Sequence, residues 1–255
     1  MIRFASLGSG SAGNALLVES GETLLMLDCG FGLRDTLARL QTLACQPAEI
    51  TGILVTHEHG DHVGGVFRLA RKYALPVHLT HGTWAACRES DVGLDLRIID
   101  SHAPVIIGDL EVQPFPVPHD AREPVQYVFS DANHRLGVLT DIGGITPHVC
   151  KVLSACDALV LECNHDARML AQSSYPASLK RRIAGRHGHL ENSAAAGLLK
   201  QIDSSRLQHL IAAHLSERNN SPELALAAVA EALGRFEHWM GVATPEAGFS
   251  WREIH

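Results

Sequence analysis

The sequence predicts an α/β protein in which two sheets pack face to face with helices on their outer sides. Three observations carry that expectation. Short apolar strand segments fill both halves of the 255 residues, and each half also holds stretches with helical spacing. No Pro/Gly/Ser-rich linker separates the halves, so 1–255 reads as one domain with a substantial buried core.

The elements follow in order. Ile2–Leu7, Ala15–Glu19 and Thr23–Asp28 are apolar runs separated by Gly/Ser/Asn turns, which predicts an antiparallel meander. Helical spacing appears at Leu33–Leu43. Ile50–Val55 reads as a strand, and helical spacing returns at Val63–Tyr73, stopped by Pro76. Strands are expected at Val77–Thr80, Leu96–Ile99, Leu110–Val117, Val125–Ser130 and Leu136–Thr140. Beyond Thr140 the pattern predicts a helix near Pro147–Cys156, a strand Ala158–Glu162, and helices near Tyr175–Ala184 and Ser193–Ile202. Leu207–Ala213 is the next strand. The helix after it opens with Ser221 as N-cap and Pro222 in the first position, and Gly234 closes it.

Composition is ordinary for a globular protein, with 46% hydrophobic and 19% charged residues. No apolar run is long enough to cross a membrane, so none is expected as a partner. The N-terminus reads as a strand and lacks the features of a signal peptide. Cys29, Cys45, Cys87, Cys150, Cys156 and Cys163 are scattered without a C-x-x-C pair. That predicts buried thiols in a reducing, cytoplasmic setting, and excludes a disulfide scaffold or a thiolate zinc site. The net charge of −7 counts against non-specific coating of nucleic acid.

The run Thr56-His57-Glu58-His59-Gly60-Asp61-His62 packs three imidazoles and a carboxylate behind an apolar strand. These are ligands for Zn, Mn or Fe. His57 and His59 project to one side of an extended segment, and Gly60 permits the bend that brings Asp61 and His62 round. By contrast, Gly8-Ser9-Gly10-Ser11-Ala12-Gly13 fits a dinucleotide fingerprint only formally. Such a loop must open a helix, whereas Asn14–Glu19 is short and β-prone, so a hairpin turn near the site is expected.

Four ligands in one loop hold one metal poorly or two incompletely, and further ligands are expected at other strand ends. His119, Asp141 and His214 each follow an apolar strand, as does Asp28. In order along the chain, Asp28, the His57/His59/Asp61/His62 loop, His119, Asp141 and His214 resemble the motif series of the metallo-β-lactamase superfamily. The resemblance covers nearly the whole chain. It implies a four-layer αββα sandwich with the site at one edge of the sheets. It also implies two divalent transition metals, Zn or Mn favoured over Fe: one on His57, His59 and His119, the second on Asp61, His62 and His214, with Asp141 bridging. Asp28 would orient the loop from behind without touching metal. Asp61 in place of a cysteine makes the chain similar to the hydrolase branch and unlike antibiotic-degrading members.

In the second half, Leu161–Asp166, Tyr175-Pro176, Leu179–Ile183 and Gly188–Asn192 resemble the YycJ (WalJ) family. So do Ala213–Ser216, Asn219-Asn220 and Pro222–Leu224. That resemblance implies exonuclease action on DNA. The same half is more loosely similar to tRNA 3′-processing endonucleases, in which a Glu and a His deliver a proton. Glu162 and His189 occupy those places, but Cys163-Asn164 and Leu190-Glu191 depart from the processing enzymes, and no long Gly-rich insertion grips tRNA.

Two metals about 3.5–4 Å apart suit phosphodiester hydrolysis. A nucleic-acid alkoxide leaves poorly and needs a proton, for which His189 held by Glu162 is the candidate. Asp61, Glu162 and His189 are therefore the expected catalytic residues. The competing reading is an ion pair tying a loop to a strand. Lys180, Arg181, Arg182 and Arg186 precede His189 and are candidates for phosphate contacts, against the bland reading of a solvated face. Arg68, Arg71 and Lys72 extend that patch or face solvent. His165 reads as a packed histidine.

Alternatives within hydrolysis are a small-molecule phosphodiesterase and a glyoxalase-type thioester hydrolase; the latter has no use for Glu162 and His189, since a thiolate departs unprotonated. A non-catalytic metal-binding domain would have a closed, mononuclear site.

Overall fold

The computed structural model describes residues 1–234 and 238–255. Strands β1 (Ile2–Gly8), β2 (Ala15–Ser20) and β3 (Thr23–Leu27) form the expected antiparallel meander. Helix α1 (Leu33–Thr42) returns the chain to β4 (Gly52–Leu54), parallel to β3. The single turn α2 (Gly60–Val63) and α3 (Val66–Tyr73) lead to β5 (Pro76–Thr80), and α4 (His81–Cys87) to β6 (Asp95–Ile99). The second half begins with the antiparallel strands β7 (Val105–Ile107), β8 (Leu110–Pro116), β9 (Val125–Ser130) and β10 (Arg135–Leu139). Helix α5 (Pro147–Leu153) crosses to the parallel β11 (Ala158–Glu162). Helices α6 (Ala167–Gln172), α7 (Ala177–Ile183) and α8 (Asn192–Leu199) precede β12 (His209–Ala213), followed by α9 (Pro222–Leu233), β13 (Met240–Val242) and β14 (Phe249–Ile254).

Among the described residues these strands make two seven-stranded sheets, ordered β14-β1-β2-β3-β4-β5-β6 and β13-β12-β11-β10-β9-β8-β7. Alternation along the strands divides the apolar residues between two faces. Phe4, Val18 and Leu25 of the first sheet meet Phe129, Val138 and Val160 of the second in one buried layer between them. Leu17 and Met26 point outward against Leu40 of α1 and Phe67 of α3. Leu159 and Leu161 do the same against Val149 of α5, Leu198 of α8 and Val229 of α9. The result is the four-layer αββα sandwich. Strands buried on both faces must be apolar throughout, which is why they read as near-continuous hydrophobic runs.

Direction matters more for function. Strands β1 and β3 run the same way because two antiparallel steps relate them, and so do β8 and β10. The carboxyl ends of β1, β3 and β4 therefore lie at one edge of the first sheet. Those of β8, β10, β11 and β12 lie together at one edge of the second.

The structure corrects several element boundaries. The helix expected over Val63–Tyr73 is interrupted at Gly64-Gly65. There the Gly65 N–H donates to the Cys29 carbonyl at 2.7 Å, and a Cβ on Gly65 would lie 2.0 Å from the Phe31 carbonyl oxygen. The backbone contact takes precedence over the helical ladder. Strand Ile50–Val55 shortens to Gly52–Leu54, and helix Pro147–Cys156 ends at Leu153. Elements α4, α6, β7, β13 and β14 were not foreseen from the sequence. Strand β14 pairs antiparallel with β1, Ile254 opposite Ile2. The glycine run after β1 turns into β2 and opens no helix, as expected. All six cysteines are free thiols. No helix among the described residues is long and apolar enough to cross a membrane.

Two hydrogen bonds cross between the sheets just before the histidine loop: the Val125 N–H of β9 donates to the Thr56 carbonyl at 3.1 Å, and the buried Tyr127 hydroxyl of β9 donates to the Val55 carbonyl at 2.8 Å. Tyr127→Phe should lower stability by about 0.5–1.5 kcal/mol in urea unfolding, the net worth of one such bond. An unchanged midpoint would mean that the contact adds nothing to the sandwich.

Candidate metal centre

Every residue singled out as a donor lies at the carboxyl-end edge of the sandwich. Asp28 follows β3, the His57–His62 loop follows β4, and His119 follows β8. Asp141 follows β10, Glu162 ends β11, and His214 follows β12. Open α/β sheets place their ligands at such strand ends, where helix and loop crossovers leave a crevice. Donor atoms come together in four overlapping groups, each within 4.8 Å: His57/His59/His119, Asp61/His62/His214, His57/His62/Asp141 and Asp141/Glu162/His189/His214.

Asp28 organises the loop. Its backbone is left-handed, with φ +59°, which turns the buried carboxylate toward the loop. Oδ1 accepts from the Thr56 N–H at 2.8 Å. Oδ2 accepts from the Thr56 hydroxyl and from His62 Nδ1, each at 2.8 Å. Behind the loop, Asn14 donates its backbone N–H to the Asp61 carbonyl at 2.8 Å, and its side-chain amide also faces Asp61 and His62. A Cβ on Gly30 would lie 1.9 Å from the Asp61 carbonyl oxygen, so this approach is open only to glycine. That is the role of the rejected glycine motif's last neighbour, Asn14: it supports the histidine loop and holds no nucleotide.

The protonation of each ring follows from its partners. The Thr56 hydroxyl gives its proton to Asp28, so its oxygen accepts from His57 Nδ1 at 2.9 Å. His62 donates Nδ1–H to Asp28, and His119 donates Nδ1–H to the Gly188 carbonyl at 3.0 Å. His214 turns Nδ1 to Glu162 Oε1 at 3.4 Å. His59 uses Nε2 on the Asp120 carbonyl at 3.2 Å. In each case the opposite nitrogen faces the cluster, and it offers a lone pair wherever the ring is neutral. His57 Nε2, His214 Nε2 and Asp141 Oδ2 are buried with no hydrogen-bond partner. Buried, unpaired acceptors are costly. Aimed together, with their other nitrogens fixed by carboxylates and carbonyls, they fit divalent metal ions. The donor set is nitrogen and oxygen only; among the described residues no thiol joins any group.

Electrostatics divide the rings into two pairs. Burial holds the His57 and His119 imidazoles below their ordinary range, which keeps them neutral. Burial opposes charge on His62 and His214 too, but carboxylates outweigh it. Asp141 and Asp28 raise His62; Asp141, Asp61 and Glu162 raise His214 to about 10. Asp141 is buried, yet His214 and His62 hold its carboxyl well below the usual range.

Glu162 and His189, distant in sequence, are joined. Glu162 is fully buried; Oε2 accepts the N–H groups of Ile142 and Leu190 at 2.8 and 3.2 Å, and Oε1 accepts from His189 Nδ1 at 2.8 Å. Burial lowers the His189 imidazole's affinity for a proton, but Glu162 and Asp141 more than compensate and raise it. His189 is partly exposed beside a cleft of about 200 Å³ that also reaches Asp120 and Arg182.

Among the basic candidates, Lys180 donates to the Ala171 carbonyl at 2.6 Å, and Arg182 Nε pairs with Asp120 Oδ2 at 2.7 Å. Arg181 and Arg186 are exposed. Arg71 is occupied by the carbonyls of Ser90 and Val92, and Lys72 lies over Tyr73. His165 is packed and buried. Sequence reasoning missed Asp120, Thr56, Asn14 and Ser9, whose hydroxyl accepts the His214 N–H at 2.9 Å. Adjacency to a predicted donor was the available signal for Thr56 and Asp120.

Residues 23–214 match the family described as the beta-lactamase superfamily domain. The chain is similar to exodeoxyribonuclease YycJ of Bacillus anthracis, with 39% identity over 91% of this chain and 89% of that protein. It is also similar to exodeoxyribonuclease WalJ of Streptococcus pneumoniae, with 31% identity over 94% and 91%. A crystal structure of the metallo-beta-lactamase fold protein YhfI from Bacillus subtilis superimposes with TM-score 0.76 at 16% identity, covering 99% and 100% of the two chains.

Asp28→Ala would strand the Thr56 N–H and the His62 Nδ1–H without their buried acceptor. Unfolding of the metal-free protein in urea should show a loss of about 3 kcal/mol or more. A loss under about 1 kcal/mol would mean that the loop holds its shape without Asp28.

Proposed function

The chain belongs to the metallo-β-lactamase superfamily, in its YycJ/WalJ family, and from that premise we propose a two-metal exonuclease acting on DNA. It is a metal-dependent hydrolase. The observation that carries the nuclease reading is the Glu162–His189 pair at the rim of the donor groups, because only a poor leaving group needs a proton. A thioester hydrolase would have no use for it.

His57, His59 and His119 would hold one ion, and Asp61, His62 and His214 the other. Asp141 would lie between them: Oδ2 is 3.1 Å from His62 Nε2, and Oδ1 is 3.4 Å from His214 Nδ1 and 3.9 Å from His119 Nε2. The donor set suits Zn or Mn. When bound, the ions would supply an activated water and neutralise charge on the phosphoryl oxygens. The residues do the rest. As the new P–O bond forms in line, the bond to the departing oxygen breaks, and His189 passes its Nε2 proton to that oxygen. Glu162 keeps the ring oriented through Nδ1 and stabilises its charge. Arg182 lines the cleft beside Asp120, and the exposed Arg181 and Arg186 flank it in sequence, so these side chains would meet backbone phosphates.

Protein purified without chelator should carry about two transition-metal ions per chain. Asp141→Ala should reduce content at both sites, and Cys29→Ser or Cys163→Ser should leave it unchanged. Elemental analysis decides; full content in Asp141→Ala would remove the bridging role.

His189→Ala should keep its metal and lose about 10²–10⁴ in turnover on DNA, but much less on an activated aryl phosphodiester. The acid works only when protonated, so turnover should fall as pH rises through its raised pKa. Glu162→Gln removes the charge that raises it and should move that limb to lower pH. Equal losses on both substrates for His189→Ala would make the residue structural.

A further inference from the structure

The cleft beside His189 has features that hydrolysis alone does not use. Beside Gly188 and His189 it is lined by the apolar groups of Tyr175, Leu179 and Ile183 and by Asp120, Asn164 and Ser216. Ser11 of the Gly8–Gly13 loop also lines it. No residue of α7 is fully buried, so Leu179 and Ile183 keep apolar surface in this lining. Tyr175 is half-buried, and the Arg218 guanidinium lies 5.8 Å from its ring centroid. An aromatic ring with an arginine beside it and aliphatic groups behind it is the composition on which a base stacks. At about 200 Å³ the cleft suits one such unit and not a helix.

Its position gives it a role. His189 commits Nδ1 to Glu162, so Nε2 is the edge left for the cleft that the residue lines. The proton from this edge goes to the departing oxygen, and the nucleoside carrying that oxygen must sit beside it. We propose that this cleft is the subsite for the single nucleotide released when a strand is cut from its 5′ end, where the departing oxygen is that nucleotide's own 3′ oxygen, with Tyr175 stacking on its base. The inference rests on the nuclease reading above and gives it a step size of one nucleotide.

Binding of 2-aminopurine deoxyriboside 5′-monophosphate to the metal-loaded protein tests the cleft without catalysis. Stacking should quench the fluorophore. Tyr175→Ala should weaken affinity by about tenfold or more and relieve the quenching, while Tyr175→Phe keeps both. Ile183→Glu should also weaken binding, by placing a charge among the apolar groups. On single-stranded DNA, an abasic residue at the attacked end should raise KM about tenfold in the native protein and leave Tyr175→Ala unaffected. An abasic residue three positions inward should change neither. Native affinity in both Tyr175→Ala and Ile183→Glu overturns the subsite. Tyr175-dependent nucleotide binding by a protein that cuts no DNA would support the subsite and remove the nuclease reading instead.

Discussion

The Asp28 carboxylate, at the carboxyl end of β3, fixes the Thr56 backbone, the Thr56 hydroxyl and the His62 ring with three hydrogen bonds of 2.8 Å. Through the Thr56 oxygen it also sets the tautomer of His57. One buried charge thus determines which nitrogen two imidazoles present. The same device recurs around the centre with other acceptors, the Gly188 carbonyl for His119 and Glu162 for His214. Without these partners each ring would be free to turn its N–H inward, and the groups could not act as donors together.

Glu162 couples the two tasks of the centre. Its Oε2 ties the backbone after β10 to the loop that carries His189, through the N–H groups of Ile142 and Leu190. Its Oε1 lies between His189 and His214. With no exposure to solvent, the Glu162 side chain meets its hydrogen-bonding needs from two backbone N–H groups and the rings of His189 and His214. The position of His189 is therefore tied to the geometry of the donors, and neither can shift alone.

The donor residues were legible because the sandwich turns a three-dimensional rule into a sequence rule. Strands buried on both faces read as apolar runs, and the edge where they end carries the chemistry, so His119, Asp141 and His214 stood out as polar residues closing apolar strands. Pairing was less legible. Sequence spacing does not place Asp120 against Arg182, nor Ser9 against His214, since those contacts depend on how loops from different strands fold over one another. Strand β14 escaped notice because its alternating Phe249–Ile254 pattern is a single short edge strand whose partner, β1, lies at the other end of the chain. The break at Gly64-Gly65 was hidden because helical periodicity continues across it.

Asp28 and His214 share one backbone property: both adopt left-handed φ, at +59° and +54°, directly after a strand. Glycine would take that conformation freely, whereas a residue with a side chain costs about 1–3 kcal/mol there, with Asp and His among the more tolerant types. Random drift toward a more stable chain would favour glycine at His214 and so erase a donor. The topology therefore permits a sturdier molecule than the one that exists, and the difference is concentrated at the strand ends that give the protein its chemistry. Stabilising variants found by selection for folding alone should be scrutinised first at these positions, where thermal robustness and function pull in opposite directions.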